Sequence, residues 1–288
     1  MTNNTATTTT TTIRAVLVLG GTGKTGRRVA DRLRRQDDLI VRVGSRRAEP
    51  PFDWTDPSGW AAALAGCDAV YLSYQPDVAV PGSDADIAEF CRHATAAGVR
   101  RIVLLSGRGE PEARACEQIV EAADLEHTIL RCSWFMQNFS EDYLLDGVLS
   151  GEVVLPVTEV PEPFVDAEDI ADVAAAALLE DGHVGRLYEL SGPDSIEFAE
   201  AVRQIARATD RKINFVEVDL ADYLGRLAEY GVPDDVAQLL GYLFGTVLDG
   251  RNARPADGVR EALGRDATSF ADYATRTAAT GVWAEESR

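Results

Sequence analysis

The chain has 288 residues, 45% of them apolar, with 47 acidic against 28 basic side chains and a net charge of −19. The apolar share supports a sizeable core in one large or two small domains. The acidic excess argues against nucleic acid and anionic membrane as partners.

Residues 1–12 are nearly all threonine and asparagine. They lack the basic and apolar regions of a signal peptide and read as a disordered tail. Ala15–Leu19 is a continuous apolar run, as suits a parallel strand buried on both faces. Gly20, Gly23 and Gly26 follow at spacings of three, and a helical pattern then places Val29, Ala30 and Leu33 on one face. Strand, glycine turn and helix make a dinucleotide-binding hypothesis, in which open N–H groups and the helix dipole receive a pyrophosphate. Gly20, Thr22, Gly23, Lys24, Thr25 and Gly26 are its expected contacts. A nucleoside-triphosphate P-loop does not fit Gly23-Lys24-Thr25, because Val18 stands where that motif needs a glycine.

Leu39–Val43 reads as the second strand. NAD-binding chains place an acid at its end for the ribose 2′-hydroxyl. Here Gly44-Ser45-Arg46-Arg47 stands there, so Ser45 and Arg46 point to the 2′-phosphate of NADPH, with NADH possible as a second cofactor. Phe52-Asp53-Trp54 reads as a third strand, with Asp53 placed to accept the adenine amino group. Asp56 or Ser58 caps a helix that ends at Gly66. Ala69–Leu72 is the fourth strand; Ser73 and Tyr74 follow it on the cofactor side, and Gln75 faces substrate. Ser83 or Asp84 caps a helix carrying Ile87, Phe90, Cys91 and Ala94 on one face, stopped at Gly98.

Arg101–Leu105 is the fifth strand, followed by Ser106-Gly107. Pro111 opens a helix. His127–Arg131 is the sixth strand and leads into Cys132-Ser133-Trp134-Phe135-Met136-Gln137-Asn138-Phe139. This alternation predicts an α/β fold: a Rossmann-type doubly wound parallel sheet over residues 13–155, completed by a strand at Arg186–Leu190. Residues 156–288 read as a smaller, mostly helical substrate region interleaved with that core. Its elements are a helix over Ala167–Leu179 with an acidic first turn, a helix capped by Ser195, and a helix opened by Asp219. A long stripe follows: Val236, Leu239, Leu240, Leu243, Phe244, Val247 and Leu248. That stripe reads as core packing first; a cap over the cleft or a dimer contact is the alternative. Whether the chain is a monomer or a homodimer stays open.

The four cysteines lack metal-ligand or redox spacing and read as free buried thiols of a cytoplasmic protein. The three histidines are scattered, so no metal is expected. No apolar run is long enough to span a membrane.

Several pieces in this order resemble the atypical short-chain dehydrogenase/reductases of the NmrA-like group, and especially the ergot-alkaloid dehydrogenases. They are Gly20–Gly26, Ser45-Arg46, Phe52-Asp53-Trp54, Leu104-Leu105-Ser106, Leu130-Arg131-x-x-Trp134-Phe135-Met136-x-Asn138-Phe139, and Phe164-Val165-x-Ala167-x-Asp169. The chain is also similar to antibiotic-pathway ketoreductases of the angucyclinone type. The resemblance implies NADP(H), with Cys132 as a further cofactor contact, and a cleft above the nicotinamide whose substrate side is lined by Trp134, Phe135, Met136, Asn138 and Phe139. Typical short-chain reductases carry a Tyr-x-x-x-Lys pair, and this chain departs from them: its only lysines are Lys24 and Lys212, and the helix from Pro111 has neither residue type. Two readings follow. One is an NADPH-dependent ketoreductase acting on an aromatic polyketide or other polycyclic substrate, with Ser106 or Gln75 meeting the oxyanion and the proton coming from substrate or solvent; an iminium reductase is its variant. The other is a dinucleotide-binding redox sensor without catalysis.

Overall fold

The computed structural model describes residues 12–157 and 159–284. The expected tail, up to residue 11, lies outside them. The strands are β1 (Ala15–Leu19), β2 (Ile40–Gly44), β3 (Ala69–Leu72), β4 (Arg101–Gly107), β5 (Glu126–Cys132), β6 (Glu152–Leu155), β7 (Pro161–Glu162), β8 (Arg186–Leu190), β9 (Ile196–Glu197) and β10 (Asn214–Glu217). The helices are α1 (Lys24–Leu33), α2 (Trp60–Leu64), α3 (Ser83–Ala96), α4 (Pro111–Ala122), α5 (Asn138–Glu141), α6 (Leu145–Ser150), α7 (Ala167–Leu179), α8 (Phe198–Thr209), α9 (Leu220–Glu229), α10 (Asp234–Tyr242), α11 (Gly258–Leu263) and α12 (Phe270–Ala278).

Six strands form one parallel sheet in the order β2-β1-β3-β4-β5-β8. The period of two along β1 divides its apolar run between the faces. Leu17 and Leu19 join Leu64, Ile87, Phe90 and Cys116 under α2, α3 and α4. Val16 and Val18 join Val29, Leu33, Ile170 and Ala174 under α1 and α7. Helices on both faces oblige the strands to be apolar throughout, which is why the runs read without alternation. A third cluster, around Phe139, Phe164, Phe198 and Phe270, binds the C-terminal helices to the segment after β5.

Three expectations are corrected. Phe52-Asp53-Trp54 is not a strand; the Phe52 N–H bonds the Ser45 carbonyl at 2.9 Å. Its aromatic rings fill core, Phe52 lying 5.1 Å from Trp54 and 5.9 Å from Trp60. The helix after β3 starts behind Gly82 at φ +89°, and Ser83 turns its hydroxyl to the Val78 carbonyl instead of capping. Ser195 precedes β9, which pairs antiparallel with β7, so α8 begins only at Phe198. Asp56 and Asp219 cap as expected and Asp166 caps α7, each carboxylate accepting a first-turn N–H. No helix among the described residues is long and apolar enough to cross a membrane.

Candidate functional site

The chain leaves β1 through a turn closed by the Gly23 N–H on the Gly20 carbonyl at 2.8 Å. Gly20 has φ +62°, a region that strains other residues. Gly26 is needed for contact: a Cβ there would lie 2.3 Å from the Gly20 carbonyl oxygen, so α1 crosses the strand end only because residue 26 has none. Gly23 is the N-cap of α1, and no side chain caps it. The open first-turn N–H groups and the helix dipole form the cradle that a pyrophosphate requires, and these residues fit a dinucleotide.

From this cradle a cleft of about 530 Å³ runs over the carboxyl ends of β1, β3, β4 and β5. Gly20, Thr22, Gly23, Lys24 and Thr25 form one end. Ser73, Tyr74 and Gln75 follow β3 along its side, and Ser106 and Cys132 form its floor. Trp134, Phe135 and Asn138 close the far wall. That wall is held in place by backbone bonds between Val165 N and Trp134 O (2.8 Å) and between Met136 N and Val165 O (2.9 Å). Lys24 spans the cleft. Its Nζ donates to Asn138 Oδ1 at 2.8 Å, pairs with Asp142, and lies 5.8 Å from the centre of the Phe135 ring.

Several expected contacts stand elsewhere. Met136 is 1% exposed and Phe139 fully buried, both packed in the third core cluster, so neither lines the cleft. Gly26 lies behind the cradle as a packing residue. Ser45, Arg46 and Asp53 lie beyond the cleft lining, past the end of β2. Asp53 Oδ1 accepts the N–H and hydroxyl of Thr55, at 3.0 and 2.9 Å. Those bonds, with the charge of Arg46, hold its carboxyl below the usual range. Arg46 is exposed and keeps its expectation as the cation that meets a 2′-phosphate. Arg46→Ala is expected to weaken NADPH binding roughly tenfold and spare NADH, as calorimetric titration of both would show. Equal losses would contradict that role.

Ser106 is also revised. Its hydroxyl donates to Glu117 Oε1 at 2.7 Å, and Glu117 is fully buried. Burial pushes that carboxyl up, but hydrogen bonds from Arg131, Ser106 and Arg114 outweigh it and hold it below its ordinary value. The carboxylate is therefore an acceptor only, and Ser106 has spent its one proton. Ser106 offers the cleft lone pairs and cannot donate to an oxyanion. Ser106→Ala is accordingly expected to change kcat less than about tenfold, below the loss typical of an oxyanion donor; a hundredfold loss would restore the donor role. Tyr74 is no free acid either. Burial and a 2.5 Å bond to Asp86 keep its proton on. Burial pushes the Cys132 thiol well up, which makes it a wall and no nucleophile.

Besides Glu141 and Asp142, which pair with basic side chains of α1, the sequence reading missed three further carboxyl groups on the cleft, Asp77, Glu110 and Glu162. Burial raises all three above the ordinary range, Glu162 to about 7 and Glu110 to about 8. Glu110 immediately precedes a helix-opening proline and so reads as an ordinary cap. The apolar stripe proves to serve two roles. Leu240 and Phe244 are buried in the third cluster, while Val236, Leu239, Leu240 and Leu243 roof the cleft.

A family model described as NAD(P)H-binding matches residues 20–181. The chain is 33% identical to the (4-alkanoyl-5-oxo-2,5-dihydrofuran-3-yl)methyl phosphate reductase of Streptomyces griseus, over 91% of this chain and 98% of that protein. It is 30% identical to the festuclavine dehydrogenase of Aspergillus fumigatus, over 90% and 96%. The crystal structure of the Citrobacter sp. triphenylmethane reductase complexed with NADP(H) shares the fold. Its TM-score is 0.74 at 20% identity, covering 92% of this chain and 99% of that one.

Proposed function

This chain belongs to the NAD(P)H-binding family, within the atypical short-chain dehydrogenase/reductases, and from that premise we propose that it is an NADPH-dependent ketoreductase of aromatic or polycyclic small molecules. The observation that carries this reading is the chamber beyond the dinucleotide cradle. Trp134 and Phe135 on one side and Leu239, Leu240 and Leu243 above give it two apolar walls beside the end of β4. A redox sensor has no use for such a space, whereas a fused-ring substrate such as an aromatic polyketide would bury there. The lining also supports a division of labour. Residues 13–155 hold the dinucleotide, and 156–288 close the substrate side through Glu162 and α10.

Bound NADPH supplies a hydride; the protein supplies position and field. Trp134, Phe135 and the α10 leucines would orient the ring system and exclude water. Lys24 ties α1 to Asn138 across the cleft and so fixes the distance between cofactor and substrate walls. Holding the two reactants together contributes on the order of 7–11 kcal/mol in well-oriented systems. The test is NADPH consumption by the purified protein with polycyclic aromatic ketones, and in parallel with cyclic iminium compounds. Turnover of ketones supports the reading, and turnover of iminium compounds alone replaces the substrate class. Tight NADPH binding with neither would favour the sensor.

A further inference from the structure

We infer that Glu110 is the proton donor of the reaction, standing in for the absent tyrosine at the N-terminus of the same helix. The inference rests on the ketoreductase reading and deepens it.

The geometry is specific. Glu110 is the N-cap of α4, yet its side chain caps nothing. The carboxyl folds back over the end of β4 instead: a Cβ on Gly107 would lie 2.2 Å from Glu110 Oε1 and 2.7 Å from Oε2. The glycine after Ser106 therefore leaves room for this carboxyl at the cleft floor. Oε2 is buried without a hydrogen-bond partner among the described residues. A buried carboxylate with no donor is costly, whereas the neutral acid is tolerated. The surroundings agree. Burial is the main cause of the upward shift, and the charges of Asp77, from the loop after β3, and Glu112, on α4 itself, add to it. Tyr242 of α10 faces the same group but donates its hydroxyl to Glu112, at 2.6 Å. The charge of Lys24 acts on Asp77 and partly offsets the effect of burial there. Arg108 turns to Glu189, at 3.2 Å, and to Glu162. Glu162 is the weaker candidate because it has both Arg108 and the Trp134 N–H facing it.

The step balances. The substrate carbonyl carbon takes the hydride and the carbonyl π pair moves to oxygen. That oxygen takes the Glu110 proton, which gives the alcohol, a Glu110 carboxylate and oxidised cofactor. Solvent at the cleft mouth returns a proton to the carboxylate. A positioned acid with a pKa near the working pH contributes about 10²–10⁴-fold.

Two readouts test it. Infrared titration of the cofactor-free protein should show a protonated-carboxyl band that persists through neutral pH, fades near pH 8, and is absent in Glu110→Gln. Glu162 contributes a separate band that fades near pH 7 in both proteins; no band fading near pH 8, or one fading there that survives in Glu110→Gln, overturns the proposal. In turnover, Glu110→Gln should lower kcat for ketones at least about a hundredfold. KM, NADPH affinity and melting temperature should be retained. The wild-type kcat should fall as pH rises through about 8, since the acid form is the active one. Asp77→Asn should move that limb to lower pH by removing the neighbouring charge. Ketone reduction by Glu110→Gln at the wild-type rate overturns the proposal. Failure of the ketoreductase reading looks different: no ketone turns over even in the wild type, while the infrared band remains.

Discussion

Gly23→Val is expected to abolish NADPH binding in a chain that still folds. A Cβ at residue 23 meets only the Gly20 carbonyl oxygen, at 3.2 Å, so the turn has to give by no more than a few tenths of an ångström. The valine methyl groups, however, fill the space over the open N–H groups of α1. Loss of two charge-assisted contacts at roughly 1.5–3 kcal/mol each lowers affinity by more than about a hundredfold. Gly26→Val is the informative contrast. Its Cβ would lie 2.3 Å from Gly20 O, 2.6 Å from Gly20 C and 2.8 Å from Gly21 Cα, all backbone. That variant should lose melting temperature as well as binding, because α1 must leave the sheet. Calorimetric titration beside thermal melting separates the two. A Gly23→Val chain with normal affinity would contradict the phosphate cradle.

Arg131→Ala is expected to cost more stability than any cleft-wall substitution. Its guanidinium donates to both oxygens of fully buried Glu117, at 2.7 and 2.5 Å. Removing Arg131 leaves the buried carboxylate only Ser106 and the half-exposed Arg114 as partners, and breaking such a buried pair costs up to about 3–5 kcal/mol. The melting temperature should fall on the order of 10 °C. Replacing both residues by leucine should recover much of that loss, since the penalty comes from the stranded charge. A single variant that melts like wild type would show that the pair carries no stability. The pH dependence has a definite sign. The folded Glu117 carboxyl lies below its ordinary 4.5, so its stabilisation is present above that value and is lost as pH falls through the lower folded one.

The dinucleotide end of the site was legible in the chain because its logic is local. Gly20, Gly23 and Gly26 act within a single turn, and the apolar strands bury both faces and so announce themselves. Where packing over long sequence distances decides, the reading failed. Phe52 and Trp54 look like strand residues, but their rings close an aromatic cluster with Trp60 and Phe90. Met136 stands between two cleft residues and points the other way, against Phe164 and its neighbours. Ser106 lies at the expected place, but no local pattern reveals that Glu117, eleven residues on, takes its proton. Glu110 was hidden for the opposite reason, since an acid before a helix-opening proline has an ordinary explanation. Only the carboxyl lying over Gly107 distinguishes it.

The most direct test of the account is a single turnover with NADPH deuterated at C4 and a polycyclic aromatic ketone, with the product examined by mass spectrometry. The account predicts one deuterium on the former carbonyl carbon and an exchangeable solvent-derived proton on its oxygen. Tight NADPH binding with no deuterium transferred to any ketone or iminium compound would contradict it.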